Sequence, residues 1–484
     1  MKLKHLSLSV MMMGASAAAM ASGYHFGTQS VSAQSTANAN GAEANDASTI
    51  FYNPAGMAKL EGTNFSGVLN VVVPHVEFSN NGSSTAAGVA IKGGNGGKIV
   101  DPAAVPHLYV THQLNDKLTA GLGIFVPFGS KTAYDRDWVG RYNIIETELK
   151  TITFNPSLAF KLSEKLSVGV GVSAQHIEGK LVKGVDSGTS LVTAAQRAGG
   201  MTTAAHSAAA GQISGNAALD GSVDVNGDDW GFGYNFGVLY DINEQTRVGL
   251  AYRSAIEHTL KGDAKWALQP SNAAATVNAL TSLGVAPGNL AATATALAAQ
   301  RAAITNSNAS LKVKTPDSLS LNFFHSLNDR WDVMGDYTRT FHSKFQELRI
   351  DFDNTLPDSI TPEKWKDTDR ISLGVANKYS DRLKLRAGVA YDETPVANES
   401  LRTPSIPDND RYWLSLGGNY ALDKDRSVDF AYTFVKIKSS NTNNKDWCDG
   451  ATVSSVTCTS SKATLKGSYK SYAQIIGVQY NQRF

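Results

Sequence analysis

The sequence predicts an all-β fold: a 14-stranded antiparallel transmembrane β-barrel, plugged by its own N-terminal segment and carrying short helices in long extracellular loops. Three observations carry that prediction. Apolar residues recur at every second position along the chain. Short polar turns alternate with long loops of small residues. The chain opens on an export signal and closes on an amphipathic strand ending in Phe484.

Composition narrows the class first. Lys and Arg total 44 and Asp and Glu 43 in 484 residues, so there is no bulk attraction to nucleic acid. Charged residues are 18%, below the roughly 25% of soluble domains. The 17 Tyr, 18 Phe and 7 Trp exclude a disordered chain. Two cysteines exclude a disulfide-dense scaffold and a thiolate metal cluster.

Lys2 and Lys4 precede an apolar run from Leu6 to Ala19, and Ala19-Met20-Ala21 fits a small-x-small cleavage site. Residues 1–21 are expected to be a signal peptide. The run is shorter than the about 20 residues a spanning helix needs. An exported chain of this kind is periplasmic, secreted or an outer-membrane barrel.

The strands follow from period-2 patterning. Val168, Val170 and Val172 alternate with Ser167, Gly169, Gly171 and Ser173. Val428, Phe430, Tyr432 and Phe434 alternate with Asp429, Ala431 and Thr433. Short turns are expected at Asn115-Asp116, Ser163 to Lys165, Asn243 to Gln245, Asn328 to Arg330, Ser380 to Arg382 and Asp423 to Arg426. Between them lie long segments near 80–104, 129–147, 182–228, 265–310, 352–367, 393–409 and 439–465. Six turns and seven loops make 14 strands, with both ends of the chain on the short-turn side. Lipid cannot satisfy an unpaired backbone group, so the strands must close on themselves, apolar outside and small or polar inside. Tyr412, Tyr420, Tyr432 and Tyr480 are candidates for the interfacial girdle. On the last strand Tyr472, Ile476, Val478 and Tyr480 share a face with Phe484, resembling the signal read by the barrel-assembly machinery.

Residues 22–62 do not alternate; they are small and polar, and suit the inside of a lumen. Ile50-Phe51-Tyr52 demands burial, which argues against a free tail. Asn53 before Pro54 favours a turn capped by the Asn side chain. The expected division is signal 1–21, hatch 22–62 and barrel 63–484.

Several motifs now converge. They are Gly23-Tyr24-His25-Phe26-Gly27, Ala44-Asn45-Asp46-Ala47-Ser48, Asn53-Pro54-Ala55, Trp230 to Asn235, Ala251-Tyr252-Arg253-Ser254 and Ile406 to Ser415. Together they resemble the FadL/TodX family of outer-membrane transporters for long-chain fatty acids and other hydrophobic compounds. The resemblance implies an outer-membrane barrel with a hatch holding the Asn53, Pro54, Ala55 turn. It implies ligand capture between long loops, an internal pocket, and lateral release into the bilayer at a kink in the third strand.

The sequence supplies candidates for those parts. The third strand, from Leu118, runs into Val126, Pro127, Phe128 and Gly129, where Pro cannot donate to a ladder and Gly weakens one. Ala275 to Ile304 has helix-forming composition, divided by Pro287-Gly288, with Leu280, Leu283, Leu290 and Leu297 expected to offer an apolar patch. A ligand carboxylate would need a cation. By strand position the family's cations map near Lys183 and near Lys364 or Lys366, and Arg349 and Arg253 are further inward-facing candidates. Val126 stands at an inward position that is polar in the family's pattern. Cys448 and Cys458, ten residues apart in the last long loop, are expected to form a loop-stapling disulfide in an oxidising compartment.

No enzyme motif is found. Gly93 to Lys98 fails as a phosphate loop, since Lys92 and Ile99 stand where Gly and Ser/Thr belong. His107 and His112 lack an acidic helper for zinc, and there is no Gly-x-Ser-x-Gly elbow. The expectation is a cofactor-free passive transporter in the Gram-negative outer membrane. Its partners would be long-chain fatty acid or another hydrophobic small molecule, outer-membrane lipid, and the assembly machinery during biogenesis. Uptake of neutral compounds such as aromatic hydrocarbons, or a surface adhesin, are the alternatives.

Overall fold

The computed structural model describes residues 23–197, 211, 213–282, 284–446 and 460–484. Fourteen wall strands ring one lumen, and several are broken into two segments. In chain order they are Thr63–Asn80; Ala103–Asn115; Leu118–Phe125 with Gly129–Ala133; Glu146–Lys161; Leu166–Val185; Gly221–Asp241; Thr246–Arg253 with Ile256–Ala267; Ser307–Thr315 with Ser318–Ser326; Trp331–Thr340 with Glu347–Phe352; Ser359–Pro362 with Thr368–Lys378; Leu383–Asp392; Arg411–Ala421; Arg426–Ile437 with Ser440–Lys445; and Thr464–Arg483. The first strand pairs antiparallel with the last from Asn64↔Arg483 to Asn80↔Gly467, which closes the ring. Closure removes the sheet edges that hydrocarbon could not solvate. Among the described residues no helix is long and apolar enough to cross a membrane.

Alternation sets the two faces. On the last strand Ile476 and Val478 are half exposed toward the outside, whereas Ile475 and Gln479 are buried toward the lumen. The six short turns fall where the polar clusters placed them. The long-loop side differs from expectation. The fifth and sixth strands stay paired up to Val185↔Gly221, well inside the stretch 182–228 expected to be loop. Backbone pairing continues there because a hairpin satisfies its own N–H and C=O groups in water as well as in lipid.

Helices Ser187–Arg197, Ala273–Ser282 and Leu290–Arg301 cap this side, and Pro287 separates the last two. Leu280 and Leu297, expected to offer an apolar patch, are buried against Leu191, Ala194 and Ala195 of the first helix. The helices use their apolar faces on each other, because none is stable alone. Leu283, Cys448 and Cys458 lie outside the described residues.

Residues 23–60 fill the lumen. Helix Val31–Gln34 is capped by the Ser30 hydroxyl and packs on the thirteenth strand. Asn53 caps the 3-10 turn Pro54–Lys59, its Oδ1 accepting from Ala55 N–H at 3.1 Å. The same side chain donates to the Val238 carbonyl at 3.0 Å, tying hatch to wall. Two inward glycines make room for this turn. A Cβ on Gly169 would lie 2.3 Å from the Pro54 carbonyl carbon, and one on Gly237 would lie 2.1 Å from Asn53 Oδ1. Small residues therefore face the lumen to admit the hatch.

Candidate functional site

The third strand is where the wall is incomplete. Its first segment pairs with the second strand only as far as Leu108↔Ile124. Its second segment, Gly129–Ala133, pairs with the fourth strand. Among the described residues no ladder pair joins 103–107 of the second strand to 126–133 of the third. The seam is bounded above by Ala133 N–H donating to the Ile99 carbonyl at 2.8 Å, and below by Val126 N–H donating to His107 Nδ1 at 3.3 Å. Pro127 has no N–H to offer and Gly129 permits the change of direction, so the break sits where local chemistry places it.

The backbone groups freed by the break are taken by the N-terminal strap. His25 forms an antiparallel bridge with Phe128. Phe26 N–H donates to the Pro127 carbonyl at 2.8 Å, and Gly129 N–H donates to the Tyr24 carbonyl at 2.9 Å. Gln29 Nε2 donates to the Val126 carbonyl at 2.9 Å. The start of the strap is anchored by Gly23 N–H donating to Asp408 Oδ2 at 3.0 Å. Asp408 is held in turn by Arg411 at 2.5 Å and by the Thr394 hydroxyl at 2.9 Å. Burial and the Arg370 charge push the His25 imidazole down to about 3, so the strap carries no charge there at neutral pH.

Two cavities flank the strap. The upper one opens toward the loop side. Leu149, Leu181, Val225, Leu260, Leu311 and Ile350 give it an apolar wall, and Tyr24 and Phe345 line it too. The inner one is lined by His25, Phe51, Pro127 and Phe128 together with several hydroxyls. Tyr24, Phe128, Phe345 and Trp365 form one aromatic cluster between them, with the Tyr24 and Phe128 rings 5.7 Å apart.

The predicted cations scatter. Lys183 lines the upper cavity, but its Nζ lies 2.5 Å from Asp446 Oδ1. Arg349 does not face inward. Leu348 and Ile350 line the cavity, so alternation turns Arg349 outward, where it meets Glu347 at 2.7 Å and Asp358 at 3.0 Å. Lys364 and Lys366 are exposed, while their neighbours Glu363 and Trp365 are buried. Arg253 lines the inner cavity. Val126 is buried beside the seam.

Sequence reasoning missed Glu363, which lines the upper cavity. Burial pushes its carboxyl up to about 8, although the Trp365 indole donates to it at 2.9 Å, so it is neutral at pH 7. It also missed the strap's contacts. The motifs around Gly23 and Asp408 were visible, but only the fold brings them together across 385 residues.

The hatch below is pinned electrostatically. Glu43 meets Lys384 and Arg386, each at 2.9 Å. Burial alone would raise the Glu43 carboxyl, but these two cations bring it down to about 2. Lys59 and Arg247 both pair with Asp241, and Arg247 donates to the Ala42 carbonyl at 3.1 Å.

Comparisons with known proteins identify the family and the fold. The family model described as outer membrane protein transport protein (OMPP1/FadL/TodX) matches residues 12–484. The chain is 38% identical, over 99% of both chains, to an outer membrane protein of Neisseria meningitidis serogroup B. It is 29% identical to the long-chain fatty acid transport protein of Escherichia coli K12, covering 82% of this chain and 84% of the other. A Pseudomonas aeruginosa FadL homologue shares the fold at a TM-score of 0.78 and 23% identity, covering 96% of this chain and all of the other. The Pseudomonas putida toluene transporter TodX shares it at 0.58 and 20% identity, covering 90% and 94%.

Proposed function

The chain belongs to the OMPP1/FadL/TodX family of outer membrane transport proteins, and from that premise we propose that it takes up long-chain fatty acids and similar amphiphiles. It is an outer-membrane transporter of hydrophobic compounds; the proposal concerns which compounds and by what route. The ligand passes the cap helices, lodges in the upper cavity, and leaves sideways through the seam between the second and third strands once the strap moves. One observation carries this reading. An apolar cavity lies next to a gap in the wall that is covered by a short strap and the aromatic cluster around Tyr24. The hatch beneath, pinned by buried ion pairs, offers no comparable way through. The driving force is partitioning of the ligand into lipid.

Lipid extraction and mass spectrometry on protein purified in mild detergent, followed by oleate displacement, tests the ligand. Bound fatty acid competed by oleate supports the proposal. A specific observation favours a second reading, uptake of neutral hydrophobic compounds. Lys183 already has Asp446 as its partner, and Glu363 adds a neutral acid to the same cavity. Bound hydrocarbon that oleate cannot displace would establish that reading instead.

A further inference from the structure

We propose that the inner cavity is a second binding station, in which Arg253 receives the carboxylate head of an amphiphile on its way from the upper cavity to the seam. This rests on the uptake reading above and names the ligand chemistry of one step in it.

Charge in this space is unbalanced. The inner cavity is lined by two guanidinium groups, Arg253 and Arg370, and one carboxylate, Asp336. Asp336 lies 3.8 Å from Arg370, and it also accepts from Asn322 at 2.5 Å and Thr338 at 2.7 Å. It is therefore committed to the Arg370 side. Arg253 has no carboxylate within ion-pair distance among the described residues. Its Nη2 donates to the Phe51 carbonyl at 3.0 Å, and its remaining N–H groups have no protein acceptor there. Its guanidinium carbon lies 4.6 Å from the Phe51 ring centre and 5.2 Å from that of Phe125. Two aromatic faces hold the plane of the group and leave its edge for a ligand. His25, Tyr52 and Tyr252, the other titratable groups lining the space, are neutral at pH 7. The cavity thus carries one surplus positive charge, which is unfavourable in a desolvated place unless an anion meets it.

The surroundings suit an amphiphile head rather than a tail. Ser318 and Thr340 line the same space and can supply hydroxyl donors, whereas Thr338 already donates to Asp336 and Ser320 to Thr338. Arginine presents a fork that matches a carboxylate, which lysine does not. Phe125 ends the segment before the kink, and Pro127 and Phe128 line the cavity, so a tail leaving this head group meets the seam. A neutral hydrocarbon would gain nothing from Arg253.

The test uses the full chain in detergent and in liposomes, with radiolabelled oleate and oleyl alcohol as probes and acetate as competitor. Arg253→Met is expected to weaken oleate binding tenfold or more while changing oleyl alcohol less than twofold. Arg253→Lys keeps the charge and the reach to the Phe51 carbonyl, so it guards against a folding defect. It is expected to lose oleate affinity a few-fold and oleyl alcohol affinity not at all. Equal losses for both probes in both variants, or no loss for oleate in either, would overturn the proposal. Acetate displacing oleate at matched concentration would show a small-anion site and overturn the amphiphile assignment. Wild-type protein that takes up neither probe would sink the uptake reading itself. Wild-type uptake of both, unaltered by either variant, would sink only this inference.

Discussion

Two junctions in the same barrel wall behave differently. Between the first and last strands the ladder runs unbroken from Asn64↔Arg483 to Asn80↔Gly467. Between the second and third it stops at Leu108↔Ile124, and several hydrogen bonds beyond are made to the strap. The difference is who the partner is. A neighbouring strand is permanent, because its own outer edge is paired in turn. A short strap tethered through Asp408 has no such second partner strand. Under the proposed route, that difference is what makes this junction the door.

That contrast can be broken or sharpened by experiment. The largest effect is expected from deleting residues Tyr24 to Pro54, which removes both strap and hatch. Liposome swelling with small polar solutes should rise by an order of magnitude or more; unchanged swelling would mean the lumen is blocked by something else. Next, Gly129→Trp places an indole at the seam. Uptake of oleate should fall about tenfold while binding in detergent persists, because about 1–2 kcal/mol of added crowding acts on passage alone. Uptake at the wild-type rate would argue against the lateral route.

Asp408→Ala frees Gly23 and removes one of the acids that hold the buried Arg411, with Asp392 still at 3.5 Å. Removing one partner of such a pair costs about 3 kcal/mol. Amide exchange at Phe26 and Gly129 should accelerate, while exchange in the first and last strands should not. Equal acceleration at both junctions would erase the distinction drawn here.

The smallest effects are expected from pH. Glu43 is held at about 2, below its ordinary carboxylate value, by Lys384 and Arg386. Its contribution to hatch stability is therefore complete above about pH 4.5 and lost as pH falls toward 2. The stability gap between wild type and Glu43→Gln, measured by chemical denaturation, should be constant at neutral pH and close on acidification through that window. Glu363 runs the other way, since its carboxyl is neutral below about 8 and charged above it. Oleate binding should weaken a few-fold as pH rises through 8 in wild type and stay level in Glu363→Gln. A parallel fall in the variant would remove Glu363 from the ligand's surroundings.

How much of this was legible in the sequence follows from the range of each interaction. Alternation at period two, the polar turns, the helix break at Pro287 and the interruption at Val126 to Gly129 are local, written in neighbouring residues, and they could be read directly. The capping role of Asn53 was equally local. The tertiary structure decided what depends on register and on distant partners. A shift of one residue turns a side chain to the other face of a strand, and that places Arg349 outside while Leu348 and Ile350 line the cavity. Lys183 is engaged by Asp446, which is 263 residues away, and Gly23 by Asp408. The leucines of the cap helices pack on one another because helices from two separate loops meet there. Arg253 is left without a counter-ion only because the fold commits Asp336 to the Arg370 side of the cavity. Composition and spacing determine which strands form and where the wall breaks. Closure of the ring determines which charges meet a partner across the lumen.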